Sequence, residues 1–153
     1  IWVIIFWRGK MQVKIVRLTK EVKLPQYQHN GDSCVDLTNA GADVVLEPFE
    51  RKIIPTGMKV EIPLGYELQI RPRSGLALKE GLTVLNTPGT VDSGYRGEVC
   101  VILYNASTKA VKIESGQRIA QAGLCKVEKI EWQEVEKVGE TKRNEGGFGS
   151  TGG

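Results

Sequence analysis

The sequence predicts an all-β fold, a jelly-roll-like barrel or sandwich with one short helix. Short stretches that alternate polar and apolar residues recur along the chain, which is the period of a half-buried strand. Glycine or proline stands at the joints between these stretches, as expected where strands turn. The sequence shows no βαβ alternation, no long helical period and no internal repeat, so a sandwich or barrel is the favoured architecture.

The individual elements follow in chain order. Strands are predicted at residues 12–18, 33–38, 43–46, 52–54, 58–62, 66–71, 82–85, 98–104, 110–113, 118–125 and 126–135. A turn is predicted at residues 55–57, because Pro55 and Gly57 set bend geometry there. Helix-forming residues between Ser74 and Gly81 predict the single helix.

The composition is that of a single globular domain and argues against nucleic-acid and membrane partners. The 153 residues, 41% apolar and 25% charged, are ordinary for one globular domain. The net charge of +3 comes without a basic run or interleaved aromatic residues, so no nucleic-acid partner is expected. The apolar run at residues 1–7 is too short to cross a bilayer, so no membrane partner is expected either. Three widely separated cysteines fit neither a disulfide framework nor a zinc site, which favours reduced thiols in the cytoplasm.

The chain divides into three regions. Residues 1–10 are interpreted as an upstream or non-native extension, and residues 11–137 as the β domain. From residue 138 the composition becomes rich in glycine, with one arginine, one phenylalanine and two hydroxyl side chains near the end. Glycine backbone amides, hydroxyls and a guanidinium suit a phosphate group, although a frayed terminus is the alternative interpretation.

The segment at residues 86–98 combines turn signals with functional side chains. Proline and glycine at residues 88–89 and glycine at residue 94 predict two turns, so a compact hairpin is expected. Its mouth would carry the side chains of Asn86, Asp92, Tyr95 and Arg96. Taken alone, an aspartate before a turn most often bonds its own backbone.

Five short segments hold most of the residues capable of chemistry. They are Asp36 in its strand, Pro-Arg-Ser-Gly-Leu at 72–76, the hairpin at 86–98, Gly-Gln-Arg-Ile-Ala-Gln at 116–121 and the tail at 143–152. The most specific strings in the hairpin and the tail are Val-Asp-Ser-Gly-Tyr-Arg-Gly-Glu and Gly-Gly-Phe-Gly-Ser-Thr-Gly. Their order and content closely resemble the motifs of the trimeric dUTP pyrophosphatase family (dUTPases). The resemblance implies a jelly-roll-like homotrimer with active sites at subunit interfaces, which hydrolyses dUTP to dUMP and pyrophosphate with Mg²⁺. That activity keeps uracil out of DNA and supplies dUMP for thymidylate synthesis.

The resemblance implies roles for the residues of the hairpin. Asp92 would be the base that activates the attacking water, and it would also bond the sugar 3′-hydroxyl. Tyr95 would lie under the deoxyribose and leave no room for a ribose hydroxyl. The uracil edge would be read by Asn86 and by backbone groups of Thr90, Val91 and Cys100.

The resemblance assigns the other motifs to the triphosphate. Arg73, Ser74 and Gly75 would bind phosphates from a neighbouring subunit, and Asp36 would meet hydrated Mg²⁺ through water. Gln121 would help to position the substrate and the water. The glycine-rich tail would close as a flexible lid, with Phe148 over the base and the remaining lid residues on the γ-phosphate, namely Arg143, Gly149, Ser150 and Thr151.

Two positions depart from the family pattern. Val35 stands where an aromatic residue is usual, which puts the packing around Asp36 in question. Asn144 stands where glycine is common, and a turn there is still expected because asparagine tolerates positive φ better than most residues.

Two other functions are alternatives to dUTP hydrolysis. The related dCTP deaminases share the expected fold and use a glutamate base at the position that corresponds to Ile102, which cannot transfer a proton. A non-catalytic trimer that binds nucleotide as a sensor is the second alternative, and it would not need a base at Asp92.

Overall fold

The structure, a computed structural model, describes residues 11–147. Within this range it contains ten strands and one helix, which confirms the predicted all-β class with a single short helix. The elements are β1 (Lys14–Arg17), β2 (Val35–Thr38), β3 (Val44–Leu46), β4 (Arg51–Glu61), β5 (Tyr66–Arg71), α1 (Ser74–Glu80), β6 (Leu82–Val84), β7 (Gly89–Val91), β8 (Glu98–Asn105), β9 (Val111–Ile113) and β10 (Arg118–Lys126). The predicted extension at 1–10 lies outside the described residues.

Two four-stranded antiparallel sheets share one apolar core. The first has the order β1-β4-β8-β6 and the second β2-β10-β5-β7, while β3 and β9 form a separate pair. Alternation places Val99, Val101 and Leu103 of β8 in the core, where Leu37 of β2 and Ile119 of β10 are also buried. The core therefore holds together the two sheets whose outer faces and edges carry the functional side chains.

The predicted turn at residues 55–57 is wrong. β4 continues through these residues, and its pairing with β8 shifts register between Pro55 and Lys59. Gly57 has a φ of 70°, and the chain makes a bulge rather than a reversal. Glycine is suited to a turn and to a bulge alike, because both need a residue that accepts positive φ.

The predicted hairpin at residues 86–98 is wrong in its pairing. β7 pairs with β5 in one sheet, whereas β8 pairs with β4 and β6 in the other. The segment between them therefore crosses from sheet to sheet. The crossing places Asp92 and Tyr95 at the junction of the two sheets rather than at the tip of a ribbon.

The predicted strand at residues 126–135 is also wrong. β10 ends at Lys126, and residues 127–147 contain no strand. Ile130 and Trp132 keep the alternating pattern but are 70% and 86% exposed. A strand needs a neighbouring ladder, and within residues 11–147 none pairs with this stretch. No helix of the same range is long and apolar enough to span a membrane.

Candidate active site

A cleft forms around Asp36, where β2, β10 and the junction between β5 and α1 meet. The register places Asp36 of β2 opposite Gln121 of β10, and Gln121 opposite Arg71 of β5. The Asp36 side chain is only 17% exposed, and each carboxylate oxygen has a cationic partner. Arg73 Nε lies 2.9 Å from Oδ1, and Arg118 Nη1 lies 3.1 Å from Oδ2. Charge-assisted pairs of this kind fix the orientation of both guanidinium groups.

This phosphate cleft, as we name it, has a volume of about 610 Å³ and brings together five of the predicted site residues. The residues that line it are Gln28, His29, Asp32, Ser33, Cys34, Asp36, Arg71, Arg73, Ser74, Gly75, Arg118 and Gln121. The lining contains three arginines and two aspartates, so it carries an excess of positive charge. Arg73 and Arg118 pair with Asp36, whereas Arg71 Nη2 donates to Gln69 Oε1 at 2.8 Å, outside the lining. Such a lining suits a multiply charged anion.

The start of α1 supplies further donors to the phosphate cleft. Arg73 is the N-cap residue, and its carbonyl accepts the backbone N–H of Ala77 at 3.0 Å. Ser74 and Gly75 form the first turn, where backbone N–H groups have no acceptor within the helix. Gln121 Nε2 donates to the carbonyl of Pro72 at 2.9 Å, which fixes the chain just before Arg73. In this structure Gln121 therefore supports the loop that carries the cationic side chain.

A second, smaller cavity of about 60 Å³, here named the base pocket, gathers the predicted uracil-reading residues. It is lined by Ile70, Val84, Asn86, Gly89, Thr90, Val91, Cys100, Val101 and Ile102. An added Cβ at Gly89 would lie 3.2 Å from Asn86 Nδ2, so glycine lets the amide approach closely. β7 is an edge strand of its sheet, and an edge strand presents backbone groups that a planar ligand can pair with.

Cys100, which lines the base pocket, carries an uncharged thiol. Burial raises the pKa of the Cys100 thiol, and the neighbouring Glu98 carboxylate raises it further. The thiol is therefore protonated at neutral pH. Ile102 lines the same pocket, so no carboxylate occupies the position at which a deaminase would need its base.

Asp92 and Tyr95 lie on the crossing between β7 and β8. The turn is closed by the Asp92 backbone carbonyl, which accepts the Tyr95 N–H at 3.0 Å. Arg96 Nη1 donates to the carbonyls of Ser93 at 2.7 Å and Tyr95 at 2.9 Å. The Tyr95 hydroxyl donates to the carbonyl of Glu98 at 3.0 Å. The turn is therefore closed by the backbone carbonyl of Asp92 and not by its side chain, and Asp92 is exposed.

One chain does not bring the two groups of predicted residues together. The phosphate cleft and the base pocket share no lining residue, although Ile70 and Arg71 of β5 line one each. Neither Asp92 nor Tyr95 lines the phosphate cleft. Within residues 11–147, the phosphate cleft of a single chain therefore does not include the predicted base.

The two departures from the family pattern are both accommodated. Val35 is half-buried and packs against the core, which anchors β2 beside Asp36. Asn144 adopts a φ of 40°, as expected for a turn, and its Oδ1 accepts the backbone N–H of Thr141 at 2.7 Å. Arg143 is exposed, and its Nε donates to the carbonyl of Gly146 at 2.8 Å. The other predicted lid residues, Phe148, Gly149, Ser150 and Thr151, lie outside the described residues.

Sequence reasoning missed Arg118 and Arg71. Arg118 lies within the segment at 116–121 that was recognised as a motif, so its presence there was the available signal. Its partner Asp36 is 82 residues away in the sequence, and only the pairing of β2 with β10 brings them together. Arg71 is the last residue of β5 and lines the phosphate cleft, while its Nη2 donates to Gln69 Oε1 at 2.8 Å.

Similarity to known proteins covers nearly the whole chain. A dUTPase family model matches residues 20–152. The deoxyuridine 5′-triphosphate nucleotidohydrolase of Fusobacterium nucleatum is 52% identical over 144 residues, which cover 94% of this chain and 98% of that one.

Solved structures agree with the sequence relatives. The dUTPase of Staphylococcus bacteriophage 80alpha, solved with dUpNHpp, has a TM-score of 0.85 at 27% identity, covering 94% of this chain and 99% of that one. The dUTPase of S. aureus phage phi11, in a structure that describes a structural Mg(II) ion, shares the fold with a TM-score of 0.77 at 24% identity, covering 85% of this chain and 100% of that one. With its motifs, fold and relatives in agreement, this chain belongs to the dUTPase family.

Proposed function

We propose that the phosphate cleft and the base pocket are two halves of one dUTP site, which different subunits of a homotrimer contribute. The reaction is the hydrolysis of dUTP to dUMP and pyrophosphate, the activity for which the 52% identical relative is named. The observation that carries the proposal is the separation of the two halves. Asn86 and Thr90 line one cavity, Arg73 and Gln121 line another, and the two linings have no residue in common.

An exposed apolar face on the β4–β8 sheet supports association of subunits. Ile53 of β4 is 69% exposed although it pairs with Ile102 in the middle of the ladder. Tyr104 extends this face along β8, and Leu85 lies beyond the end of β6. Exposed apolar patches of this kind mark protein interfaces. Because Ile102 also lines the base pocket, a second chain that docked here would place its own surface beside that pocket.

Asp92 is the proposed general base. Its carboxylate would accept a proton from the water that attacks phosphorus, while pyrophosphate leaves. A positioned base is typically worth about 10²–10⁴ in rate. The support is its exposure on a turn whose backbone is already closed, with Tyr95 close by on the same crossing.

The phosphate cleft would bind the triphosphate from the neighbouring chain. Arg73 is held at two points: Nε pairs with Asp36 at 2.9 Å, and Nη1 donates to the carbonyl of Arg118 at 3.3 Å. A guanidinium fixed in this way loses little further freedom when a phosphate binds. Backbone donors of Ser74 and Gly75 and the side chain of Gln121 would complete the set.

Mg²⁺ is the expected cofactor, and the donor set fits an ion held mainly by substrate and water. Asp36 offers one carboxylate whose oxygens already bond two arginines, so contact through a water is the geometry that suits it. Within residues 11–147 no cluster of three or more His, Cys, Asp or Glu side chains could hold a metal directly. Mg²⁺ typically keeps several waters and uses substrate phosphates as ligands. When bound, it would neutralise charge on the triphosphate.

Base and sugar selectivity would come from the second half of the site. The Tyr95 ring would lie under the deoxyribose, and Asn86 with backbone groups of Thr90, Val91 and Cys100 would pair with uracil. Cytosine would leave polar groups of the pocket unpaired, and a mismatch of this kind can lower kcat/KM by roughly 10⁴–10⁵ relative to the matching base. The tail that follows residue 138 would close over the bound nucleotide through Arg143 and the lid residues beyond it. We propose the cytoplasm as the site of the reaction, and the three free cysteines support a reducing compartment.

The test is the release of pyrophosphate from dUTP, dCTP, dTTP and UTP, assayed side by side with Mg²⁺. We expect release from dUTP alone, by an assembly whose mass in light scattering is that of three chains. Binding of dUTP without release of pyrophosphate would support the sensor alternative. Full activity from a monomer would contradict the division of the site between subunits.

A further inference from the structure

Gly97 leaves a space that the Tyr95 ring occupies. An added Cβ at Gly97 would lie 2.5 Å from Cζ and 3.0 Å from Cε2 of that ring, and closer still to the hydroxyl oxygen. Contacts this short force one of the two groups to move. Gly97 is not one of the glycines with positive φ, so its backbone conformation does not require glycine. The constraint at position 97 therefore comes from the ring.

The backbone on both sides of Gly97 is held by hydrogen bonds. Arg96 Nη1 bridges the carbonyls of Ser93 and Tyr95, at 2.7 and 2.9 Å. On the other side, Glu98 pairs with Lys59 in the β4–β8 ladder, and its carboxylate accepts the N–H of Gly57 at 2.7 Å. A side chain at position 97 would therefore be accommodated by rotation of the Tyr95 ring, which is 46% exposed and would give up the bond from its hydroxyl to the Glu98 carbonyl.

We infer that Gly97 is a positioning residue that sets the place of the Tyr95 ring and, through it, the preference for deoxyribose over ribose. The inference rests on the proposed place of the Tyr95 ring under the sugar. With glycine at position 97, the ring lies back over the turn, and its hydroxyl donates to the carbonyl of Glu98 at 3.0 Å. A methyl group at position 97 pushes the ring out of that place, which alters the space next to the sugar C2′.

The test compares Gly97→Ala with Gly94→Ala, a control in the same turn. An added Cβ at Gly94 meets no atom within 4 Å, and Gly94 is not among the glycines with positive φ. We expect Gly97→Ala to lower the ratio of kcat/KM for dUTP to that for UTP by at least about 10-fold, the lower end of what one methyl group is worth in a pocket. We expect Gly94→Ala to keep the wild-type ratio. An unchanged ratio in Gly97→Ala would overturn the inference.

A second comparison, made in the Tyr95→Ala variant, distinguishes an effect of Gly97 on the position of the ring from an effect on folding. In Tyr95→Ala the ring is absent, so adding Gly97→Ala should change neither Tm nor the dUTP to UTP ratio of that variant. If Gly97→Ala lowers Tm by the same amount with and without the ring, the glycine serves the backbone and the inference is wrong. Wild-type activity distinguishes the two failures: no hydrolysis of dUTP refutes the proposed function, whereas normal hydrolysis with no effect of Gly97→Ala refutes only this inference.

Discussion

The phosphate cleft and the Asp92–Gly97 crossing are organised in opposite ways. In the phosphate cleft, side chains from distant parts of the sequence are already paired, with Asp36 between Arg73 and Arg118. In the crossing, short-range backbone hydrogen bonds set the turn, while the Asp92 carboxylate and the Tyr95 ring remain exposed. Charged side chains are therefore paired in advance on one surface, and the proposed base lies on another. Under the proposal, a complete site requires both surfaces.

The largest effect is expected on the crossing. Asp92→Asn should lower kcat by about 10²–10⁴ while dUTP binding and the trimer are retained, because only the proton acceptor is removed. Steady-state kinetics would measure the loss of kcat, and a binding titration with dUpNHpp would measure the retained affinity. Turnover close to the wild-type rate would remove Asp92 from its role as base.

The next largest effect is expected from the tail. Truncation after Val138 should lower kcat/KM for dUTP by about 10²–10³, as is typical for the loss of donors to developing charge. Within residues 11–147 the last strand ends at Lys126, so the Tm of the truncated protein should stay close to that of the full chain. Full activity of the truncated protein would contradict the proposal that the tail closes over the bound nucleotide.

A smaller effect is expected from the ion pairs of the phosphate cleft. Asp36→Asn leaves Arg73 and Arg118 without their carboxylate, which should lower the free energy of unfolding by about 1–3 kcal/mol. Thermal unfolding should register this as a lower Tm, with a raised KM for dUTP. A normal Tm together with a normal KM would show that the pairs do not organise the cleft.

Asp43→Asn is the matched control, since Asp43 pairs with Lys112 at 2.7 Å on an exposed surface. The Tm should change little, because exposed pairs contribute little to stability. The hydrogen bond from Lys112 lowers the pKa of Asp43, and the Ser115 N–H lowers it further. Any stabilisation by this pair is therefore complete above about pH 4, the ordinary aspartate value, and is lost as the pH falls through the lowered pKa. The Tm difference between Asp43→Asn and wild type should vanish at acidic pH.

The smallest effect is expected in the base pocket. Cys100→Ser keeps the backbone groups proposed to read uracil, and the thiol that it replaces is uncharged at neutral pH. We expect kcat/KM for dUTP to stay within about twofold of wild type. A loss of tenfold or more would show that the sulfur itself contacts the base.

Much of the fold and the family could be predicted from the sequence, because alternation and motif content are local signals. The all-β class, the helix after Arg73 and the dUTPase activity are confirmed. The errors arose where pairing decides structure. Gly57 serves a bulge rather than a turn, and residues 127–135 alternate without a partner strand within the described part of the chain.

The site was predicted in its parts but not in its arrangement. Asp36, Arg73 and Gln121 come from three different motifs and meet in one cleft, which agrees with the common role at the triphosphate that the resemblance implies. The pairing of Asp36 with Arg118 could not be foreseen, because it depends on the register of β2 against β10. The crossing of the chain from one sheet to the other after β7 could not be predicted either, because turn residues do not indicate which strands pair with each other.

Mixing of subunits tests the central claim most directly. Asp92→Asn chains have an intact phosphate cleft, and Arg73→Ala chains have an intact base side, so each alone should be nearly inactive. When the two variants are refolded together in equal amounts, the mixture should recover about a quarter of wild-type dUTP hydrolysis. Each site takes its base side from one chain and its phosphate cleft from another, and about a quarter of these random pairs have both halves intact. Mixed trimers that stay as inactive as the two parents would contradict the claim and place the whole site within one chain.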